Sequence, residues 1–555
     1  MRTSWLIHDM IRICPQSGRV IEQDSRLRSV FETEGVPLRL TSPRNAYVSF
    51  QAVFELGDAG TAPSVVFEEL TGETDRIGRD EYAAYLQWYH EIEGRYIPDA
   101  LVPWLQAQYA PNRSFPELVR LNAVPGQRFG ALWIDLFVPK AIKPGLYKGS
   151  IIITAAGAAV RHEIALTVLP LDVPDESLIT ADLNSYADNL SRRIAGLRGL
   201  ETRYHDGTYL HWERQFYRMA HEHRCLFHNL PYEHSGNIPE IFVPELEGRG
   251  KSIRVKDWSR DDEHYGPYLD GSAFQGTKRG PIPLPYLYLP FNFHWPADYA
   301  KFGFKGYRTE FSAIFREFHR HFTENGWLST KFELFLNHKK RYKLFPYDGD
   351  ETRFVWDEKI NDLFYDLGRD VLESRGGAQF VFRTDSSWSY GLHYAKYADN
   401  IHLWVVSNLI FGWYPEGLRH LKARGNTVWT YGRSPAIAES LFNCTLFPMA
   451  SVARGTDGFV YWESTLWGDQ WHVTPDSGGS TALFYPGDEL FGIHGPIPAI
   501  RLKVMRSTMQ VADLVERWIR GSSEQERRRE AVNAVICSAC GMEPGDWWPG
   551  KPDFI

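Results

Sequence analysis

In the first third of the chain, apolar and polar residues alternate at a period of two. The segments 46–54 (AYVSFQAVF), 131–138 (ALWIDLFV) and 162–169 (HEIALTVL) each present one apolar face, as half-buried strands do. Pro144-Gly145-Leu146-Tyr147-Lys148-Gly149 reads as a turn into 150–154 (SIIIT), and Ala156-Gly157-Ala158 turns the chain back into the last strand. This pattern predicts an all-β, immunoglobulin-like sandwich over 1–175. The segment 171–177 (LDVPDES), with a proline among acidic residues, reads as the linker that follows it.

From about residue 178 the rhythm changes to strand followed by helix. Eight strands are predicted, at 179–186, 225–230, 284–289, 331–336, 379–385, 401–408, 427–432 and 458–463. Helices are expected around 209–221, 357–373 and 418–424, and Tyr307, Phe311, Ile314, Phe315, Phe318 and Phe322 form the buried stripe of another. Eight alternations predict an α/β domain, a (β/α)8 TIM-like barrel over 176–525, with 526–555 as a C-terminal tail. The fold class is thus multidomain. Catalytic groups of such a barrel belong at the C-terminal ends of its strands.

That rule directs attention to 331–352, KFELFLNHKKRYKLFPYDGDET. Its apolar run breaks into Asn337, His338 and Lys339, then into a glycine turn carrying the adjacent carboxylates Asp350 and Glu351. The pair could cap the helix that follows, although Asp357 and Glu358, directly before its apolar spacing, fit that role better. Asn337, His338 and Lys339 combine cations with an amide, suited either to sugar hydroxyls, a uronate or sulfate, or to a hydrogen-bonded strand end. Asn292 and His294 follow the third strand. Asp385 and Glu463 are further carboxylates at predicted strand ends, and either could activate water in an inverting hydrolysis. Trp388, Tyr431, Trp462 and Trp467 offer flat faces for sugar rings, or for core packing. His228 and His294 lack the spacing of metal ligands, and no metal or cofactor site is predicted.

Composition narrows the class. The 555 residues include 19 Trp, 28 Tyr and 33 Phe, 14% of the chain, which suits either sugar faces or large cores. A net charge of −8 argues against a nucleic-acid partner. The cluster Arg527-Arg528-Arg529 reads as a solvated helix face. No run of about 18 apolar residues is present, so no membrane partner is expected. The N-terminal MRTSWLIHDM lacks the apolar core and cleavage site of a secretory signal, which as written points to the cytoplasm. A chain whose leader had been removed would read the same and be secreted or periplasmic. Cys14, Cys225, Cys444, Cys537 and Cys540 are too scattered for a disulfide framework and read as free thiols.

Four ordered motifs carry a resemblance: 428–432 (VWTYG), 455–462 (GTDGFVYW), 483–487 (LFYPG) and 495–502 (GPIPAIRL). Over the last 130 or so residues of the barrel the chain resembles glycoside hydrolase family 123, and elsewhere the likeness is one of domain order. The resemblance implies a β-N-acetylgalactosaminidase with a β-sandwich ahead of a (β/α)8 barrel and a carbohydrate substrate. It also implies substrate-assisted, retaining chemistry by an Asp-Glu pair after the fourth strand. Asp350 would orient the 2-acetamido group and Glu351 would protonate the leaving oxygen, with no protein nucleophile. The sequence departs from the family pattern here. Asn337-His338 stand where the acidic pair is expected, Asp350-Glu351 come about a dozen residues later, and Thr352 replaces a common Pro. Two alternatives stay open: a hydrolase of another polysaccharide using Glu351 with Asp385 or Glu463, and a carbohydrate-binding relative without turnover. The strands of the sandwich do not decide between sugar binding, buttressing of the barrel and a homo-oligomer interface.

Overall fold

A computed structural model describes residues 3–22, 37–57, 62–105, 114–194, 207–292, 294–335, 366, 377–386, 390–468, 471–473 and 481–540. Two sheets come first. In one, Ser4–His8, Ala46–Glu55, Phe129–Val138, Tyr82–Ile92 and Arg95–Leu105 lie antiparallel in that order. In the other, Ala158–Asp172 pairs antiparallel with Gly145–Ala155 and parallel with Leu38–Arg44. The alternation read at 46–54 and 131–138 does not give one wet face. Every residue of Phe129–Val138 is buried, because the sheet is covered on both sides. Phe67 of one sheet stacks on Tyr82 of the other with ring centroids 4.5 Å apart, and side chains from both sheets share one apolar cluster. The turn at 156–158 falls where the sequence puts it, with Ala156 and Gly157 both at positive φ (48° and 78°), as a tight hairpin requires. Gly145 already belongs to a strand, so the preceding turn is shorter than its composition suggests.

The eight predicted barrel strands are present and parallel: Thr180–Tyr186, Leu226–Leu230, Tyr286–Tyr288, Lys331–Leu334, Gln379–Ser386, Leu403–Ser407, Thr427–Gly432 and Gly458–Tyr461. Their hydrogen-bonded order runs from the second strand through the first, eighth and seventh down to the third, a barrel closed except between strands two and three. The helix carrying the aromatic stripe, Tyr299–Glu324, buries Tyr307, Phe311, Ile314, Phe315, Phe318 and Phe322 against strands four and five, with Phe322 4.4 Å from Phe332 and Phe315 5.2 Å from Phe380. The helix predicted over 357–373 lies, apart from residue 366, outside the described residues.

One long helix, Ile500–Arg520, joins the barrel to the first sheet. Its Arg501 pairs with Asp99 at 2.7 Å, and its Lys503 and Arg506 hold Asp135 at 2.6 and 2.7 Å, all of them buried. Burial works against the Asp135 carboxylate, but the two cations outweigh it and hold the carboxyl well below its usual range. The next helix, Gln525–Cys540, corrects the solvated reading of the arginine cluster. Arg527 is exposed, but Arg528 lies over Trp518 at 4.3 Å and Arg529 bonds Glu516 at 3.1 Å. The helix packs back on its predecessor, which sequence periodicity around three charges does not reveal.

Candidate active site

Chain direction puts the C-terminal ends of all eight strands on one rim, and the segment after strand eight is stitched across the end of strand one. Ser464 Oγ donates to Asn184 O at 2.9 Å, and Ser185 and Thr465 share a hydrogen bond of 2.5 Å. Asn189, in the short helix Ala187–Arg193, donates Nδ2 to Thr465 Oγ1 at 3.0 Å and to Glu463 Oε1. These bonds fix Glu463, whose side chain is buried at the rim. His234, which follows strand two, completes the group. Its Nε2 meets Glu463 Oε2 at 3.2 Å and its Nδ1 meets Asp188 Oδ1 at 3.2 Å, while its ring stacks on Tyr186 at 4.0 Å. Tyr186 in turn takes the indole N–H of Trp462 at 3.3 Å, and Trp462 is 44% exposed.

Charge follows from this geometry. Burial disfavours a charged His234, but the hydrogen bonds to Asp188 and Glu463 and their charges outweigh it and lift the imidazole to about 9. Burial likewise opposes the Asp188 carboxylate, and His234 overcomes it and holds the carboxyl below its ordinary value. At neutral pH an imidazolium therefore bridges two carboxylates. Because the folded value lies above the unfolded one of about 6.5, the bridge stabilises fully below pH 6.5 and is lost as pH rises through about 9. The thermal transition of the parent is expected to fall more steeply between pH 6.5 and 9.5 than that of His234→Gln. Equal slopes by calorimetry would remove the imidazolium from this bridge.

Beneath the rim, side chains of strands one, two, four and five form a charged layer inside the barrel. Arg383 Nη1 donates to Glu333 Oε2 at 2.8 Å and to Asp182 Oδ2 at 3.3 Å, and His228 Nδ1 lies 3.1 Å from Asp182 Oδ2. Burial pushes the Glu333 carboxyl above its usual range despite Arg383. Arg383 also holds both oxygens of Asp385, at 2.7 and 3.1 Å, and lies 4.7 Å over the ring of Tyr288. Tyr288, Phe335, Leu230, Tyr232 and Tyr186 roof this layer with an apolar cluster. Asp385, partly exposed, stands three strands away from Glu463 around the ring. Both oxygens of Asp385 accept from Arg383, which fixes the carboxylate at the end of strand five.

Several sequence expectations are revised by their surroundings. Trp467 is buried, its ring stacked on Phe216 in the core, so it offers no face to a sugar. Asn292 is buried and its amide is committed: Oδ1 accepts from the backbone N–H of His294 and Trp295 at 2.8 and 3.0 Å, shaping a turn. His294 lies 3.8 Å from Asp298, and Tyr431 is half-buried at the end of strand seven. His228 belongs to the interior layer, and among the described residues no group of His, Cys, Asp and Glu has the geometry to hold a metal ion. Asp350, Glu351, Asn337, His338, Lys339 and Trp388 lie outside the described residues. Asp188, Asn189, His234, Arg383, Glu333 and Asp182 were not singled out from sequence. The first three sit just beyond strand ends one and two, the position that marks a barrel's functional residues.

No family model matches the chain, and no curated protein does. Among solved structures, a family 123 glycoside hydrolase from Clostridium perfringens, studied for glycolipid glycan hydrolysis, superposes with a TM-score of 0.63. The fold is shared. The identity is 12%, and the match covers 96% of this chain and 91% of that one, so both the antiparallel sheets and the barrel are included. A putative alpha-galactosidase from Bacteroides fragilis (TM-score 0.28, 9% identity, 86% of this chain and 78% of that one) is similar far more weakly. So is a β-glucuronidase from Bacteroides uniformis (TM-score 0.30, 9% identity, 80% and 47%), and neither carries an argument.

Proposed function

We propose that the protein is a glycoside hydrolase acting on β-linked N-acetylhexosamine, N-acetylgalactosamine-like, glycans by substrate-assisted retaining hydrolysis. The observation that carries the reading is the pairing, at the rim of this barrel, of an exposed ring, Trp462, with the adjacent carboxylate Glu463, held by Asn189 and His234. An exposed flat ring held in place by a fixed hydrogen-bonded network is a surface on which a pyranose can stack. Strand four delivers the chain to the same rim, and Asp350 and Glu351 follow it in sequence. In this reading the acetamido oxygen attacks the anomeric carbon, Asp350 takes the acetamido N–H, and Glu351 gives its proton to the departing glycosidic oxygen. Water then opens the cyclic intermediate with Glu351 as base, returning the proton. The sheets ahead of the barrel are proposed to form an immunoglobulin-like sandwich domain over 1–175, with the barrel over 176–525.

A second reading keeps the hydrolase and moves the chemistry. Asp385 and Glu463 both stand at the rim, and hydrolysis of a polysaccharide without an acetamido group would use Glu351 with one or the other of them. A chromogenic β-N-acetylgalactosaminide and the matching β-galactoside separate the two. Turnover confined to the acetamido substrate is expected, and comparable turnover of both would replace the substrate-assisted reading with the second.

A further inference from the structure

At the opposite end of the barrel a cavity of about 170 Å³ opens between the starts of strands one and two, the segment entering the barrel, and the loop before strand three. Two guanidinium groups line it. Arg224, 3% exposed, donates Nε to Asp513 Oδ2 at 2.8 Å and Nη2 to Pro174 O at 2.8 Å, and its Nη1 donates to none of the described groups. Arg279 donates Nε and Nη2 to Asp175 O at 3.2 and 2.8 Å, Nη1 to His221 O at 2.7 Å, and Nη2 to Ser177 Oγ at 3.4 Å. Those acceptors are carbonyls and a hydroxyl, so among the described residues no carboxylate bonds Arg279 directly, and Asp513 and Asp175 act on its charge only at longer range. Glu176, the one carboxylate in the lining, is exposed at the edge. Between the two cations there is one directly bonded, buried carboxylate, Asp513, and it pairs with Arg224.

We propose that this cavity binds a small tetrahedral oxyanion, a phosphate or sulfate group, between Arg279 and the free Nη1 of Arg224. Planar guanidinium groups bind such oxygens through paired N–H donors, and the volume holds one oxyanion with water around it. The electrostatics agree. Burial, and then the charge of Arg224, bring Arg279 down to about 9, and burial with Arg279 brings His221 down to about 3, so His221 is neutral and adds no charge. The anion would tie together the segment around 174–177, strand two and, through Asp513, the helix Ile500–Arg520. Asp513 also receives the N–H of Leu178 and Ile179 at the start of strand one, at 2.7 and 3.3 Å.

The thermal transition of the full chain in sodium phosphate or sodium sulfate, against sodium chloride of equal ionic strength, tests this. Phosphate and sulfate are expected to raise it by about 2 °C or more at saturation. The rise is expected to vanish in Arg279→Ala. Ser177→Asp places a carboxylate within reach of Arg279 and is expected to raise the transition in chloride and to lose the response to phosphate. A response to glucose 6-phosphate as well assigns the site to the oxyanion of a larger molecule, and a response to phosphate and sulfate alone assigns it to the free ion. Equal effects of chloride, or a phosphate response that survives both substitutions, would overturn the proposal.

Discussion

Glu351→Gln is expected to lower kcat for β-N-acetylgalactosaminides by about 10²–10⁴-fold, the range that a positioned proton donor contributes. Its loss should depend on the leaving group. A nitrophenolate departs with little help from a proton, whereas an alkyl or sugar alkoxide needs one. The variant is therefore expected to retain most activity on the nitrophenyl substrate and least on a disaccharide. Asp350→Asn should behave differently. If Asp350 orients the acetamido group, its loss slows cyclisation whatever the leaving group, and both substrates should fall by similar factors. Steady-state kcat for the parent and both variants on the two substrates makes a complete test. Unchanged activity in Glu351→Gln would move the acid elsewhere, with Asp385 and Glu463 the carboxylates already at the rim.

How far the sequence reached can be judged residue by residue. All eight barrel strands are legible because parallel strands covered by helices are largely apolar runs that end in polar residues, as LWVVS at Leu403–Ser407 does. The helix Tyr299–Glu324 is legible because its aromatic spacing persists for four turns. Rim residues are harder. Glu463 was among the candidates because it follows a strand, but its partners His234 and Asp188 come from the ends of two other strands, and sequence carries no sign of which loops meet. Trp467 and Trp462, five positions apart, have the same chemistry on paper. Only the packing of Phe216 against Trp467 and the exposure of Trp462 separate core from surface. Arg383 and Glu333 stayed hidden for another reason. A charged residue within an apolar strand reads as an outward position, yet these two point into the barrel, where each satisfies the other.

The interior layer leads to the second large effect. Arg383 is the common partner of Glu333, Asp182 and Asp385, so removing its charge strands three carboxylates at once. Arg383→Met keeps much of the volume and the contact with Tyr288, and it is expected to destabilise the barrel by about 3–5 kcal/mol, the cost of breaking a buried pair from one side. The deficit should depend on pH in a known direction. Burial already raises the Glu333 carboxyl, and Arg383 is the largest of the charges that oppose that rise, so its removal lets the carboxyl rise further. A carboxyl raised in the folded state binds its proton more readily there than in the unfolded chain, so the penalty is relieved at low pH and grows as pH rises. Thermal transitions of parent and variant are expected to lie closer at pH 5 than at pH 7.5. Glu333→Gln added to Arg383→Met should recover part of the loss, since the amide leaves no charge to bury and the two effects are coupled through one contact. A deficit under about 1 kcal/mol, or one indifferent to both pH and the second substitution, would mean that water rather than Arg383 neutralises these carboxylates. In that case Asp385 would not owe its position at the rim to the layer below it.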